Sequence, residues 1–274
     1  LAVGTRLAEA NSSSWDERFT FAMPPTRLMH IDADEAELGR NYQTELGVVA
    51  DAKLALAELV KAAEKSARPR RSGSLRADIA RGREEFAANW APQYNSSQFP
   101  MRPERILGEL RKALPADGFV VTDVGWNKNG VAQQFPFTVP GTFVTPSGLA
   151  TMGFGPAAVL GVKLAHPNRA AVSLVGDGGF STNPSVVATA MEADLPVVWL
   201  VMDNAGFGTI AGLQKMHYET DFGCMFTRRG EPYRADYAAM ARACGARGVM
   251  IRAADELGPA VLEALASDLP TVIQ

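Results

Sequence analysis

From residue 101 to residue 274, short apolar runs alternate with segments of helical period, and this alternation constrains the fold more than any other feature. Pro103–Leu114 is helical, and Phe119-Val120-Val121-Thr122 is a strand that stops at Asp123. Pro156–Ala165 is helical again, and Ala170–Val175 is a strand that ends at Gly176-Asp177-Gly178-Gly179. Asn183-Pro184 opens a helix that runs to about Ala193, because proline suits the first helical position. Val197–Met202 is continuously apolar, as befits a strand buried on both faces of a parallel sheet. Tyr237–Cys244 reads as helix, Gly248–Ile251 as strand and Asp255–Ala266 as helix. The expected class is α/β with a doubly wound parallel sheet.

Residues 1–65 form a separate unit. Leu28-Met29-His30-Ile31-Asp32 is an apolar run that ends in an acid. A helix begins at Asp51, which can cap it. Leu56, Leu59, Val60 and Ala63 repeat on one face, with Lys53, Glu58, Lys61 and Glu64 on the other. Residues 66–100 read as a linker, with a basic crossing at Arg68, Arg70 and Arg71 and a polar helix over about Leu75–Asn89. Leu1-Ala2-Val3-Gly4 looks like a strand end, and Leu269–Gln274 stops within a strand-like run. Both ends read as cut, from a longer polypeptide or from a subunit that relies on a partner, with a naturally ragged domain as the alternative.

Composition excludes several classes. The formal net charge is −3, so no basic surface points to nucleic acid. No apolar run reaches the roughly 18 residues of a membrane span. The two cysteines form no CxxC pair and are expected to be reduced, buried and cytoplasmic. His30 and His166 read as structural. No G-K-[ST] occurs, which removes a P-loop, and Gly153-x-Gly155 has Ala158 where a dinucleotide fingerprint needs glycine.

Ligands of open α/β sheets sit beyond the carboxyl ends of the strands. Three strand ends carry suitable residues: Asp123-Val124-Gly125, Gly176-Asp177-Gly178-Gly179 and Asp203-Asn204-Ala205-Gly206. Glycine amides ahead of a helix favour phosphate, whereas an aspartate among them repels it unless a divalent cation lies between. Mg2+ takes one or two protein oxygens and completes its shell with phosphate and water. Asn204 follows Asp177 by 27 residues, the length of a helix and a return strand, which sets the two side chains side by side.

Gly176-Asp177-Gly178 followed by Asn204 resembles the metal–diphosphate motif of thiamine diphosphate enzymes. Gly148-Leu149-Ala150-Thr151-Met152-Gly153-Phe154-Gly155 resembles the aminopyrimidine-holding segment of their acetolactate synthase group. Gly4-Thr5-Arg6, His30–Asp34 and Gly47–Lys53 resemble that group's central domain. The resemblance implies a thiamine diphosphate-binding domain over 101–274, preceded over 1–65 by part of a Rossmann-like central domain. The family's pyrimidine-binding domain is not expected within this chain.

The resemblance also implies roles. Asp177, the Asn204 side-chain oxygen and the Gly206 carbonyl would ligate Mg2+. The Gly178 and Gly179 amides would meet the diphosphate. Val124, Gly125, Trp126 and Asn127 fall where the family makes a second diphosphate contact, with Trp126-Asn127 in place of its usual Gln-His pair. The Ala150 carbonyl would accept from the cofactor's amino group, and the Met152 thioether would fill the bend between its rings. Gly208 and Thr209 complete the cofactor-binding set. No catalytic side chain is assigned; the family's glutamate lies on the pyrimidine-binding domain.

The implied activity is that of a C–C bond lyase or carboligase acting on a 2-oxo acid or related small carbonyl substrate. A pyrimidine-binding domain, from the same parent chain or from a partner, would complete a homo- or hetero-oligomer. Leu213 stands where acetolactate synthases place a tryptophan and Thr209 where they place methionine, so the substrate stays open. His217 and Tyr218 lie just downstream. FAD or an ADP-like ligand on the central domain would approach Asp32 and Asp34, although Leu7-Ala8-Glu9 replaces the group's usual Asp-Asp-Arg. The alternative is a non-catalytic cofactor-binding or assembly subunit.

Overall fold

The computed structural model describes residues 1–9, 12, 15–66, 73–147 and 149–274. These fall into two compact units, Leu1–Asp78 and Ile79–Gln274. The expected basic crossing at Arg68, Arg70 and Arg71 lies outside the described residues, as does Gly148.

In the first unit, β1 (Ala2–Val3), β2 (Met29–Asp32) and β3 (Leu46–Val49) form a parallel sheet in the order β1-β2-β3. His30 is structural, as expected. It is buried, and its Nε2 lies 2.8 Å from the Thr5 carbonyl, which pins the turn after β1. α1 (Ala52–Ser66) starts where Asp51 Oδ1 accepts from Leu54 N at 3.0 Å, the expected cap. Among the described residues its apolar stripe of Leu56, Leu59, Val60 and Ala63 is exposed. α2 (Gly73–Tyr94) is longer than the predicted 75–89 and fills most of the stretch read as linker.

The second unit continues with α3 (Pro103–Ala113), β4 (Phe119–Thr122), α4 (Trp126–Gln134), β5 (Phe143–Val144), α5 (Phe154–Ala165), β6 (Ala171–Gly176) and α6 (Asp177–Phe180). There follow α7 (Val186–Glu192), β7 (Val198–Met202), α8 (Gly208–Tyr218), the hairpin β8 (Thr227–Arg228) and β9 (Glu231–Pro232), α9 (Tyr237–Ala243), β10 (Arg247–Val249), α10 (Leu257–Leu265) and β11 (Thr271–Ile273). Six strands form one parallel sheet in the order β10-β11-β7-β6-β4-β5.

The period-2 side-chain alternation of strands builds both faces of this sheet. Phe119, Val121, Trp199 and Val201 pack on one side with α5, α7 and α9. Val120, Val172, Leu174, Val198 and Leu200 pack on the other with α3, α4 and α10. Strands covered on both faces read as unbroken apolar runs, which is why Val197–Met202 was legible. Trp199 is fully buried and its Nε1 donates to the Pro156 carbonyl at 3.0 Å, so its polar atom is satisfied inside the core. The fold is the expected doubly wound α/β sheet.

Several boundaries moved. Pro184 and Ser185 form a turn that precedes α7, with Val187 N donating to the Pro184 carbonyl at 3.3 Å. α4, α8 and the β8–β9 hairpin were not read from the sequence. Their apolar residues do not form a clean stripe. Cys224 is buried, but Cys244 is exposed and corrects the expectation for it. It caps the C-terminus of α9 just before Gly245, where the chain turns at the surface. His166 stacks on Phe119 with centroids 4.7 Å apart, a packing role. Among the described residues no helix is long and apolar enough to cross a membrane.

The connection leaving β4 leads to β5 at one sheet edge, and that leaving β6 leads to β7 on the opposite side. Between β4 and β6 the exit loops diverge, and such a switch point leaves a crevice above the strand ends.

Candidate functional site

A cavity of about 330 Å3 occupies that crevice. Its walls come from the segments that leave β4, β6 and β7, together with Met152. Val124, Gly125, Trp126, Asn127, Met152, Asp177, Gly178, Gly179, Asn204, Gly206, Gly208 and Thr209 all line it. Ala150 does not; it precedes Met152 with a left-handed φ of 49°. Lys128, Asn129, Met202, Phe207 and Ile210 also line the cavity and were not singled out from the sequence. Among the described residues Lys128 is the one basic side chain in that wall.

Asp177 lies at the centre and is buried. Its Oδ1 accepts from Gly178 N at 2.9 Å and its Oδ2 from Gly206 N at 3.1 Å. The Gly178 amide, expected to face a phosphate, is thus turned onto the carboxylate. Burial pushes the Asp177 carboxyl up to about 6, and the neighbouring Asp203 carboxylate adds to the shift. An anion held this uncomfortably is one that a cation would favour.

The Asn204 amide supplies the geometry. Its terminal atom on the Asp177 side lies 3.1 Å from Asp177 Oδ1 and 2.7 Å from the Gly206 carbonyl oxygen. With nitrogen in that place, both oxygens are satisfied by hydrogen bonds. With oxygen in that place, carboxylate, amide and carbonyl oxygens converge. Such a convergence is stable only around a cation. Among the described residues no group of three or more His, Cys, Asp and Glu is placed to hold a metal. A donor set of one carboxylate, one amide and one carbonyl suits Mg2+, which keeps most of its shell for phosphate and water.

Close approach explains the glycines here. A Cβ on Gly206 would stand 2.6 Å from the Cys224 carbonyl oxygen, and one on Gly178 would stand 2.7 Å from the Phe207 ring. A Cβ on Gly208 would stand 2.3 Å from Asn204 Nδ2. Asn127 is buried, and its Nδ2 donates to the Val124 carbonyl at 3.2 Å. Its Oδ1 has no hydrogen-bond partner among the described residues, so a polar atom in the cavity wall waits for one.

Asp123 was read only as a strand end. Its carboxylate accepts from Val124 N at 2.6 Å and from Gly153 N at 2.8 Å. Burial raises its pKa, and the amides of Val124, Gly153 and Gly155 oppose that shift. An acid directly after an apolar run was the signal that could have marked it. Leu213, His217 and Tyr218 all lie exposed on α8. In the first unit, Asp32 Oδ1 accepts from Asp34 N at 3.0 Å and Asp34 Oδ1 from Ala36 N at 2.9 Å, so both carboxylates serve a local turn. Nothing in that geometry singles out a flavin.

Residues 123–274 match the family model described as the thiamine pyrophosphate enzyme C-terminal TPP-binding domain, and residues 1–59 match that enzyme's central domain. A putative thiamine pyrophosphate-containing protein of Bacillus subtilis is 30% identical over 90% of this chain and 42% of its own length. A probable acetolactate synthase large subunit of Methanocaldococcus jannaschii is 29% identical over 100% of this chain and 45% of its own length. A sulfoacetaldehyde acetyltransferase of Castellaniella defragrans is 29% identical over 97% of this chain and 46% of its own length. The chain spans less than half the length of each of these relatives.

Proposed function

The chain belongs to the thiamine pyrophosphate enzyme family, and from that premise we propose that it binds thiamine diphosphate through Mg2+ in the cavity between β4 and β6. The reaction proposed is C–C bond cleavage or ligation on a 2-oxo acid or related carbonyl compound, of the acetolactate synthase kind. The observation that carries the proposal is the meeting of Asp177, Asn204 and Gly206 at one point, where burial disfavours the ionised Asp177 carboxyl.

When bound, the cofactor supplies an electron sink for making or breaking a bond next to a carbonyl. The chain's own residues bind and orient. Asp177, Asn204 and the Gly206 carbonyl would hold the cation, and Gly179 would present its amide to the diphosphate, while the Gly178 amide stays on the Asp177 carboxylate. Lys128 adds a positive charge to the same wall. Asn127 would meet the diphosphate only by turning its amide nitrogen away from the Val124 carbonyl, Met152 would give an apolar support, and the Ala150 carbonyl would accept from the aminopyrimidine. Turnover is proposed to need a pyrimidine-binding domain from outside these 274 residues, brought by the parent chain or a partner in an oligomer. Two unpaired cysteines fit a reducing compartment such as the cytoplasm.

The test is to isolate the protein with whatever accompanies it, determine the subunit masses, and supply thiamine diphosphate, Mg2+ and a panel of 2-oxo acids. Metal-dependent substrate loss with a C–C cleavage or ligation product supports the proposal. Binding without turnover in the complete assembly would favour a cofactor-binding subunit instead. Full activity of the isolated 274-residue chain would overturn the need for another domain.

A further inference from the structure

The metal-binding segment after β7 is held from behind by a polar junction that does not line the cavity. Asp203 Oδ1 accepts from Ala205 N at 3.0 Å and from Arg234 Nη1 at 2.7 Å. Its Oδ2 accepts from Gln274 Nε2 at 3.0 Å. Gln274 follows β11 directly. Its Oε1 accepts from Tyr237 N at 2.8 Å and Ala238 N at 3.3 Å, and its Nε2 also donates to the Ala235 carbonyl at 2.8 Å. The Tyr237 hydroxyl then donates to the Asp177 carbonyl at 3.2 Å. One chain of hydrogen bonds therefore joins the ends of β11 and β7, the start of α9 and the backbone of the central aspartate.

The polarity of this junction is fixed. Backbone N–H groups can only donate, so the Gln274 oxygen must face Tyr237 and Ala238, and its nitrogen must face Asp203. Position 203 must then accept. Asp203 precedes Asn204, and Ala205 follows with a left-handed φ of 57°, a conformation an L-residue holds only when its surroundings impose it. The Asp203–Ala205 bond closes that turn.

We infer that Asp203 and Gln274 are positioning residues that set the Asn204–Gly206 turn for the cation without touching it. This rests on the metal site proposed above. Asp203 is not itself placed as a ligand, because its oxygens are engaged with Ala205, Arg234 and Gln274.

A reciprocal exchange tests the inference. Asp203→Asn sets a donor against the Gln274 donor, and Gln274→Glu sets an acceptor against the Asp203 acceptor. The double variant D203N/Q274E restores one contact, the amide at 203 donating to the carboxylate at 274, while that carboxylate still faces the Ala235 carbonyl, so the rescue is partial. Two readouts are needed: amide hydrogen exchange of residues 203–208 without cofactor, and the Kd for thiamine diphosphate with Mg2+. Each single variant is expected to raise both by about tenfold, and the double variant to bring both part of the way back, clearly below Gln274→Glu alone. Gln274→Ala, which opposes no like charges, should shift both in the same direction by a smaller factor and serves if either single variant fails to fold.

Single variants that exchange like the parent would overturn the inference. So would a double variant as impaired as the worse single. If the parent shows no Mg2+-dependent binding while the exchange rates follow the cycle, the metal reading fails and the positioning of the turn stands.

Discussion

Asp123 Oδ2 and Gly153 N stand 2.8 Å apart, and this bond fastens the segment carrying Ala150 and Met152 to the end of β4, where Val124–Asn127 begin. Two stretches that would touch opposite ends of one cofactor are thereby fixed to each other. Gly155 packs closely on this strand end, since a Cβ there would lie 3.0 Å from Asp123 N and the strand end would have to give by a few tenths of an ångström.

Asp123→Ala removes the acceptor for the Val124 and Gly153 amides. The expected cost is about 1–3 kcal/mol in stability, with thiamine diphosphate bound about tenfold more weakly. Thermal melts and a binding titration check the two effects separately.

Gly206→Ala places a methyl group against the Cys224 carbonyl oxygen, which is backbone and cannot swing away. It should destabilise the chain by more than about 1 kcal/mol and abolish the stabilisation that Mg2+ with thiamine diphosphate gives the parent. Gly161→Ala in α5 meets nothing within 4 Å and should leave stability equal or raise it by up to about 1 kcal/mol. Melting both variants with and without ligand distinguishes obstruction at the site from a general glycine effect.

The pH dependence has a definite sign. With its folded pKa of about 6 above the unfolded value of about 3.9, Asp177 holds a proton more tightly when folded. Without metal, its contribution to stability is fully present below about pH 4 and is lost as pH rises through about 6. Mg2+ requires the ionised carboxylate, so the stabilisation by Mg2+ with thiamine diphosphate should shrink as pH falls through about 6. Melting temperatures between pH 5 and 8, with and without ligand, should converge on the acid side. A ligand effect constant over this range would contradict the assignment of Asp177.

Lys128→Gln removes a basic side chain from the cavity wall. Thiamine diphosphate should bind about three- to tenfold more weakly, and the difference from the parent should narrow as salt is raised. Titrations at two ionic strengths measure it.

Much of the fold was legible because parallel strands buried on both sides must be apolar at every position, as Val198–Met202 is nearly throughout. The meeting of Asp177 and Asn204 was legible because a strand–helix–strand unit brings successive strand ends together. Lys128 and Asn129 were missed because α4 was not read as a helix; its first turn places them in the wall. Asp203 and Gln274 were missed as a pair because 71 residues separate them and only the adjacency of β7 and β11 joins their ends. The apolar face of α1 predicted a helix correctly but not its exposure, since periodicity records which residues could be buried and not what covers them.

The most direct measurement is a calorimetric titration of the chain with thiamine diphosphate, in Mg2+ and in EDTA, for the parent and for Asn204→Ala. The expected result is saturable binding by the parent in Mg2+, weakened at least about tenfold both by EDTA and by the substitution. No binding by the parent, or equal binding in all four conditions, would contradict a diphosphate site built on a cation held by Asp177, Asn204 and Gly206.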